Sequence, residues 1–259
     1  MLVTDYRRTD LRTNVLENPY WITSNIVLGT EVEAATKGAT ITGTGIAAVS
    51  STTDTITDTG SGFVTAGFLD ADVIAVSGFT GEVGNNDFWT LAGSGGVAAG
   101  TLTLVETGLA SDAAGESVTI ITPNANVLFS FPVADQYIMV EEVVVEILTA
   151  FTTNTKITIG YGTLATDSVT TGGVITSVDL DRFVAASDIT ATTAGKYSSS
   201  TSAWALAKIA GTWSTNRYIK GAASTVPVMY AAIANMTNAA PAAITAGAMR
   251  VHMLIRIKP

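Results

Sequence analysis

The stretch from Asp72 to Gly93 reads DVIAVSGFTGEVGNNDFWTLAG, and its Asp72, Glu82, Asn85, Asn86 and Asp87 are residue types that can hold a cation or share acid and base work. Three acid groups invite the same question: Asp70 with Asp72, Asp179 with Asp181, and the neighbours Glu141 and Glu142. Two acids at i and i+2 of a strand share a face, as a glycosidase or a cation site would need. Neither Asp pair continues into D-x-[DN]-x-[DN]-G, because Ile74 and Phe183 stand at the next alternate positions. Turn chemistry is the plainer reading. GEVGNND lies between a strand over 73–78 and another that begins at Phe88, and it supplies residues that accept positive φ and bond their own backbone.

His252 is the only histidine and Cys is absent, so sites needing two imidazoles, thiolate ligands, disulfides or a Cys nucleophile are excluded. A Ser/His/Asp triad would have to use this one base. In RVHMLIRIK, Val251, Met253, Ile255 and Ile257 form one face of a strand, and Arg250, His252, Arg256 and Lys258, with Leu254, form the other. The basic row reads either as a solvated face whose charges discourage aggregation or as a contact with an acidic surface. GTGIAA at Gly43 to Ala48 satisfies G-x-G-x-x-A, but the β-branched AVSSTTDTITDTG that follows cannot make the required helix. Trp89, Trp204 and Trp213, with Tyr137, Tyr161, Tyr197 and Tyr218, suit either a core or a stacking surface. Asn235-Met-Thr237 satisfies the glycosylation pattern, and with no apolar h-region in the start MLVTDYRRTD a chance match is the expectation. No catalytic group, cofactor or metal is expected.

These residues must be positioned by strands. The chain has 259 residues, 47% hydrophobic and 14% charged, with net charge −9. Its Thr, Gly, Ala and Val content is that of an all-β protein. The acidic balance argues against nucleic acid, and no apolar run is long enough for a membrane span. Residues 1–36 are expected as an extended N-terminal arm, with Arg7, Arg8, Arg12 and the Tyr20-Trp21 pair as docking residues. Short Val/Ile/Thr runs between turn residues predict a small β-module over 37–122. TPNANV is the expected linker to a β-sandwich-like or barrel-like domain over 123–259. That domain should end in a hairpin of VPVMYAAIA with MRVHMLIRIKP. The Thr/Ser/Ala-rich stretch 163–216 shows no sustained period, with short helical turns conceivable at LDRFVAASDI and SAWALAKIA.

The run FVTAGFLDADVIAVSGFTGEVGNNDFWTLAG, continued by GTLTLVETGLASDAAGESVTI, resembles a small β-module of tailed-phage virion proteins. The likeness lies in a V-x-G-F strand end, an Asn-Asn turn, T-L-T-L and a G-x-x-V-x-I close. Ala71 stands where that pattern has Gly before the first strand's Asp, and Asp87 where Gly follows the second Asn. From VEEVVVEILTAFTTNTKITIGYG through DRFVAASDITATTAGKY to the C-terminus, the chain resembles β-sandwich proteins of phage heads and tails. The resemblance implies a capsid decoration, or cement, protein on the virion surface. It would self-assemble, by analogy as a homotrimer, and bind the major capsid protein, with Arg7, Arg8, Arg12, Tyr20, Trp21, Arg250, His252, Arg256 and Lys258 as interface candidates. Two alternatives stay open: a tail tube, baseplate or fibre component, and a carbohydrate-binding module or polysaccharide-degrading enzyme.

Overall fold

A computed structural model of the chain describes residues 20–27, 39–123, 125–130, 137–152, 155–165, 176–184, 189–198, 218–220, 225–235 and 246–258. In chain order the elements are β1 (Tyr20–Val27), β2 (Thr40–Gly43), β3 (Ile46–Val49), β4 (Thr55–Asp58), α1 (Phe63–Ala66), β5 (Val73–Ser77), β6 (Phe88–Thr90), β7 (Val97–Ala98), β8 (Thr101–Thr103) and β9 (Val118–Ile121). They continue as β10 (Ala125–Ser130), β11 (Tyr137–Thr149), β12 (Thr155–Ala165), β13 (Thr176–Val184), β14 (Gly195–Ser198), β15 (Tyr218–Lys220), β16 (Thr225–Asn235) and β17 (Ala248–Lys258). The fold is all-β and its strands pair antiparallel in four sheets.

Two sheets, β3-β4-β8-β7 and β2-β9-β5-β6, make the small module, and two more, β10-β16-β12-β13 and β1-β17-β11-β14, make the larger sandwich, with β15 also pairing β11. Each pair encloses a core. Ile46, Ile56 and Leu102 of the first sheet meet Ile74, Val76, Val118 and Ile120 of the second. In the sandwich, Met229, Ala231, Ile233, Ile157 and Ile159 meet Val143, Val145, Val251, Met253 and Ile255. Alternation along each strand puts these residues on one face.

A third apolar seam joins the modules. Val73 and Ala75 of β5, Phe88 of β6 and Ile121 of β9 pack on Tyr230, Ala232 and Ala234 of β16. The four sheets therefore stack as layers. The two middle sheets are covered on both faces, so β5 and β9 are buried along their whole length and β16 is buried from Pro227 to Ala234. Strands covered on both faces read as continuous apolar runs, VIAV and VPVMYAAIA, rather than as alternating ones.

The same burial corrects the expected hairpin. β16 lies between β10 and β12, whereas β17 lies between β1 and β11 in the opposite sheet. A strand apolar on both faces belongs inside the stack, and β17, with one polar face, belongs at its surface. TPNANV is no loose linker either: Thr122 N donates to Ala39 O at 2.9 Å, Pro123 is buried, and β10 starts at Ala125. Of the segment 1–36, residues 20–27 are not a separate arm but the edge strand β1, paired with β17 from Tyr20 opposite Ile255 to Val27 opposite Ala248. LDRFV, where helical turns were conceivable, lies in β13; SAWALAKIA lies outside the described residues.

Gly78 shows why the V-x-G-F strand end needs glycine. Its φ is +109°, and a Cβ there would run into the carbonyl oxygen of Ser117 on the neighbouring chain segment.

Removing the Tyr230 ring should open a cavity between the modules. We expect Tyr230→Ala to lower the stability of the whole chain by about 3 kcal/mol. Urea unfolding read by the fluorescence of a background in which Trp89 is the one tryptophan kept, and by far-UV circular dichroism, checks this. Loss of signal from one module alone, at unchanged global stability, would contradict a shared seam.

Candidate interaction surface

Six of the nine acids of the small module hold its turns. Asp54 accepts from the amides of Ser51 at 3.0 Å and of Gly108 and Leu109 at 2.8 Å. Asp58 takes Gly60 and Gly62, Asp70 takes Gly95 and Val97, and Asp72 takes Leu69. Across the Thr80–Glu82 turn, Glu116 accepts from the amides of Thr80 and Gly81 and from the Thr80 hydroxyl, and Asp112 accepts from Glu82 N at 2.8 Å.

The two asparagines act as pieces of strand. Asn85, fully buried, donates to Ala110 O and accepts from Ala110 N, and Asn86 makes the same two bonds with Phe79. An amide side chain carries one donor and one acceptor edge, so it pairs a backbone residue as a ladder neighbour would. Asp87 is different: it forms an ion pair with Lys156 of β12 at 3.2 Å, and the same ammonium donates to Asn86 O at 2.5 Å. The GEVGNND turn is thus a structural turn that also seals the seam between the modules. GTGIAA runs from the end of β2 through the Thr44–Gly45 turn into β3, a strand where the fingerprint needs a helix.

These bonds move the carboxyls in opposite directions. Asp54 is held below the usual carboxylate range chiefly by the Ser51 amide, and Glu116 chiefly by the Thr80 hydroxyl, since donors favour the ionised form. Asp72 is pushed up, first by burial, with the charge of Asp70 adding to the rise.

The C-terminal row stands on the outer face of the β1-β17-β11-β14 sheet. Met249, Val251, Met253 and Ile255 face the core, and Arg250, His252, Leu254 and Arg256 face outward. Each of these bases has a partner in its own sheet. Arg250 lies 3.6 Å from Glu146 of β11 and donates from Nε to Asn25 of β1 at 2.9 Å. His252 shares a hydrogen bond with Thr23 Oγ1 at 2.9 Å through Nδ1 and lies 3.8 Å from Glu146 through Nε2. Arg256 grips Glu141, with distances of 2.7 and 2.8 Å. Being flanked on both sides, β17 has no edge charges to guard against aggregation; the edge of the sheet is β1.

A bulge between Val140 and Glu142 explains the two neighbouring glutamates. The extra residue lets Glu141 reach Arg256 while Glu142 accepts from Ser198 Oγ on β14 at 2.5 Å. Trp21 sits at the margin of this face, 49% exposed, with its ring edge-on to His252 at 6.5 Å. Tyr20 and Lys258 pair through their backbones at the end of the sheet, opposite Ile255 and Tyr137, and their side chains lie outside the described residues, as do Arg7, Arg8, Arg12, Trp204, Trp213 and the side chains of Asp179 and Asp181. Trp89 is no stacking platform. It is buried in the small core with Nε1 donating to Asn85 O at 3.1 Å.

No family model matches the chain, and neither a curated protein nor a solved structure does.

Two features escaped the reading of the sequence. Thr23, Asn25, Glu141 and Glu146, which complete the face, are 100 or more residues from their partners, and only the sheet order joins them. The second was open to inspection: residues 39–123 hold nine of the 22 acids and none of the 13 Lys and Arg. The whole net charge of −9 therefore belongs to residues 39–123, and the rest of the chain, with 13 acids and 13 bases, is balanced.

The carboxyl directions set a pH dependence. Asp54 and Glu116 titrate lower in the folded state, so their contribution is complete above the unfolded carboxylate range, about pH 4, and is lost as pH falls through their folded values. Asp72 acts in the opposite sense, its ionisation opposing folding. Asp54→Asn leaves one acceptor oxygen for three amides, so it should destabilise at neutral pH, with the gap to the unaltered chain closing on acidification. Asp72→Asn keeps its bond to Leu69 and should be close to neutral. Urea midpoints from about pH 3 to pH 7 test both; a gap for Asp54→Asn that does not change with pH would refute the assignment.

Proposed function

We propose that this chain is a capsid decoration protein of a tailed bacteriophage, self-assembling, on the simplest scheme as a trimer, and binding the lattice of the major capsid protein. The observation that carries the reading is the outer face of the β1-β17-β11-β14 sheet. Its arginines are already paired with Glu141 and Glu146 inside the sheet, and Trp21 stands half-exposed at its margin. Charges held in place by their own neighbours lose less on being covered than lone charges do, and a tryptophan at the margin supplies contact area. Such a face suits lasting contact with another protein. The resemblance of residues 63–120 to a phage β-module supports the same reading.

The mechanism is mechanical. Each subunit would add buried area across neighbouring capsomers, offsetting the outward pressure of packed DNA. One observation favours a second reading: Trp21 beside Thr23, Asn25 and Arg250 resembles a flat saccharide platform, an aromatic face next to hydrogen-bonding groups.

Mixing the purified protein with capsid shells assembled without it, then pelleting the shells, tests the proposal. Saturable co-sedimentation is expected, with added resistance of the shells to heat. Arg250→Glu with Arg256→Glu should break the pairs with Glu146 and Glu141 and weaken binding at least about tenfold. Binding to a glycan array without binding to shells would favour the saccharide reading instead.

A further inference from the structure

The molecule is electrically lopsided along the axis of its four layers. At one end stands the small module, whose residues 39–123 hold nine acids and no Lys, Arg or His. At the other stands a sheet face on which Arg250, His252 and Arg256 are paired with Glu141, Glu146, Thr23 and Asn25, and on which Lys196 of β14 stands exposed in register with Glu146. From these two observations we propose an orientation: the chain docks through the outer face of β1, β17, β11 and β14, with Trp21 as its anchor, and carries the acidic module away from the partner into water. The inference rests on the decoration reading, and the occupant of the face is the outer surface of the major capsid protein, offering an uncharged patch with a recess for an indole.

Distance separates the two poles electrically. Stacked sheets lie about 10 Å apart, which puts the acidic layers roughly 20–30 Å from the outer face of the docking sheet. The Debye length at physiological salt is about 8 Å, so the acids neither attract nor repel what meets that face.

The area is adequate. Strands of 8, 11, 13 and 4 residues (β1, β17, β11 and β14) side by side present a face on the order of 500–700 Å², near the ~800 Å² per partner of a standard stable interface. The free energy of docking then comes from apolar contact at Trp21, Leu254 and Leu148, the last 42% exposed. The acidic pole has its own consequence. Modules of like charge on neighbouring subunits repel, which opposes stacking of a second layer of protein on the first.

The experiment compares three proteins on capsid shells assembled without this chain, at about 50 and 500 mM salt, the span over which surface attraction is screened. They are the unaltered chain, Trp21→Glu, and a triple variant Glu82→Lys, Val64→Lys, Val105→Lys, whose sites are exposed on the acidic module. The orientation predicts binding that changes less than about threefold with salt, a loss of at least about tenfold for Trp21→Glu at unchanged melting temperature, and binding of the triple variant within about twofold of the unaltered chain. A steep fall with salt, or loss in the triple variant with Trp21→Glu unaffected, would mean that the acidic module docks and would overturn the proposal. Trp21→Glu that changes the native mass of the oligomer but not shell binding would make the face a contact between copies, which overturns it too. If the unaltered chain binds no shells at either salt, the decoration reading fails and the orientation with it.

Discussion

The structure depends on one strand that has no exposed face. Met229, Ala231 and Ile233 of β16 fill the sandwich core, and Tyr230, Ala232 and Ala234 fill the seam to the small module. Burying both faces of a strand requires a partner sheet on each side, so the modules cannot separate without wetting Tyr230 and its neighbours. Small residues make the approach possible. The two alanines let Phe88 and Ile121 come close, where larger side chains on both sides would hold the sheets apart. The Lys156 ammonium, bound to Asp87 and to Asn86 O, then closes the polar margin of a seam that apolar packing has already formed.

That constraint explains where reading the sequence succeeded and where it failed. The faces of β17 were legible because polar and apolar residues alternate from Arg250 to Arg256, with Leu254 the one exception, and period 2 in a half-buried strand has one solution. The turn role of Asn85, Asn86 and Asp87 was legible from GEVGNND for the same local reason. VPVMYAAIA has no alternation to read. A run apolar on both faces fits a hairpin partner or an interior strand equally well, and only the stack, with a sheet on each side, selects the second. Pairing β1 with β17 joins positions 229 residues apart, as in Thr23 with His252, and no local pattern records such a contact.

The acids tell the complementary story. Alternate spacing of Asp70 and Asp72 raises the possibility of a shared face, but the first carboxylate turns to Gly95 and Val97 and the second to Leu69. In a module of short strands, with β7 only two residues long, ladder bonds are few and turns are many. Carboxylates that accept backbone amides hold those turns where longer ladders would otherwise do so. A module built this way gathers acids without needing bases, which accounts for its uncompensated charge by structure alone.

The large sheet handles charge differently, and the bulge in β11 is what allows it. Without an extra residue, strict alternation would send Glu141 or Glu142 into the core, where an unpaired carboxylate is costly. With the bulge, Val140 and Val143 both remain inside while Glu141 meets Arg256 and Glu142 meets Ser198. Further along the same strand, Glu146 stands directly opposite Arg250 and within reach of His252. A single inserted residue thus converts an interrupted apolar pattern into a row of cross-strand pairs. The face that results is polar yet balanced, and a balanced face can be covered by another protein without stranding a charge.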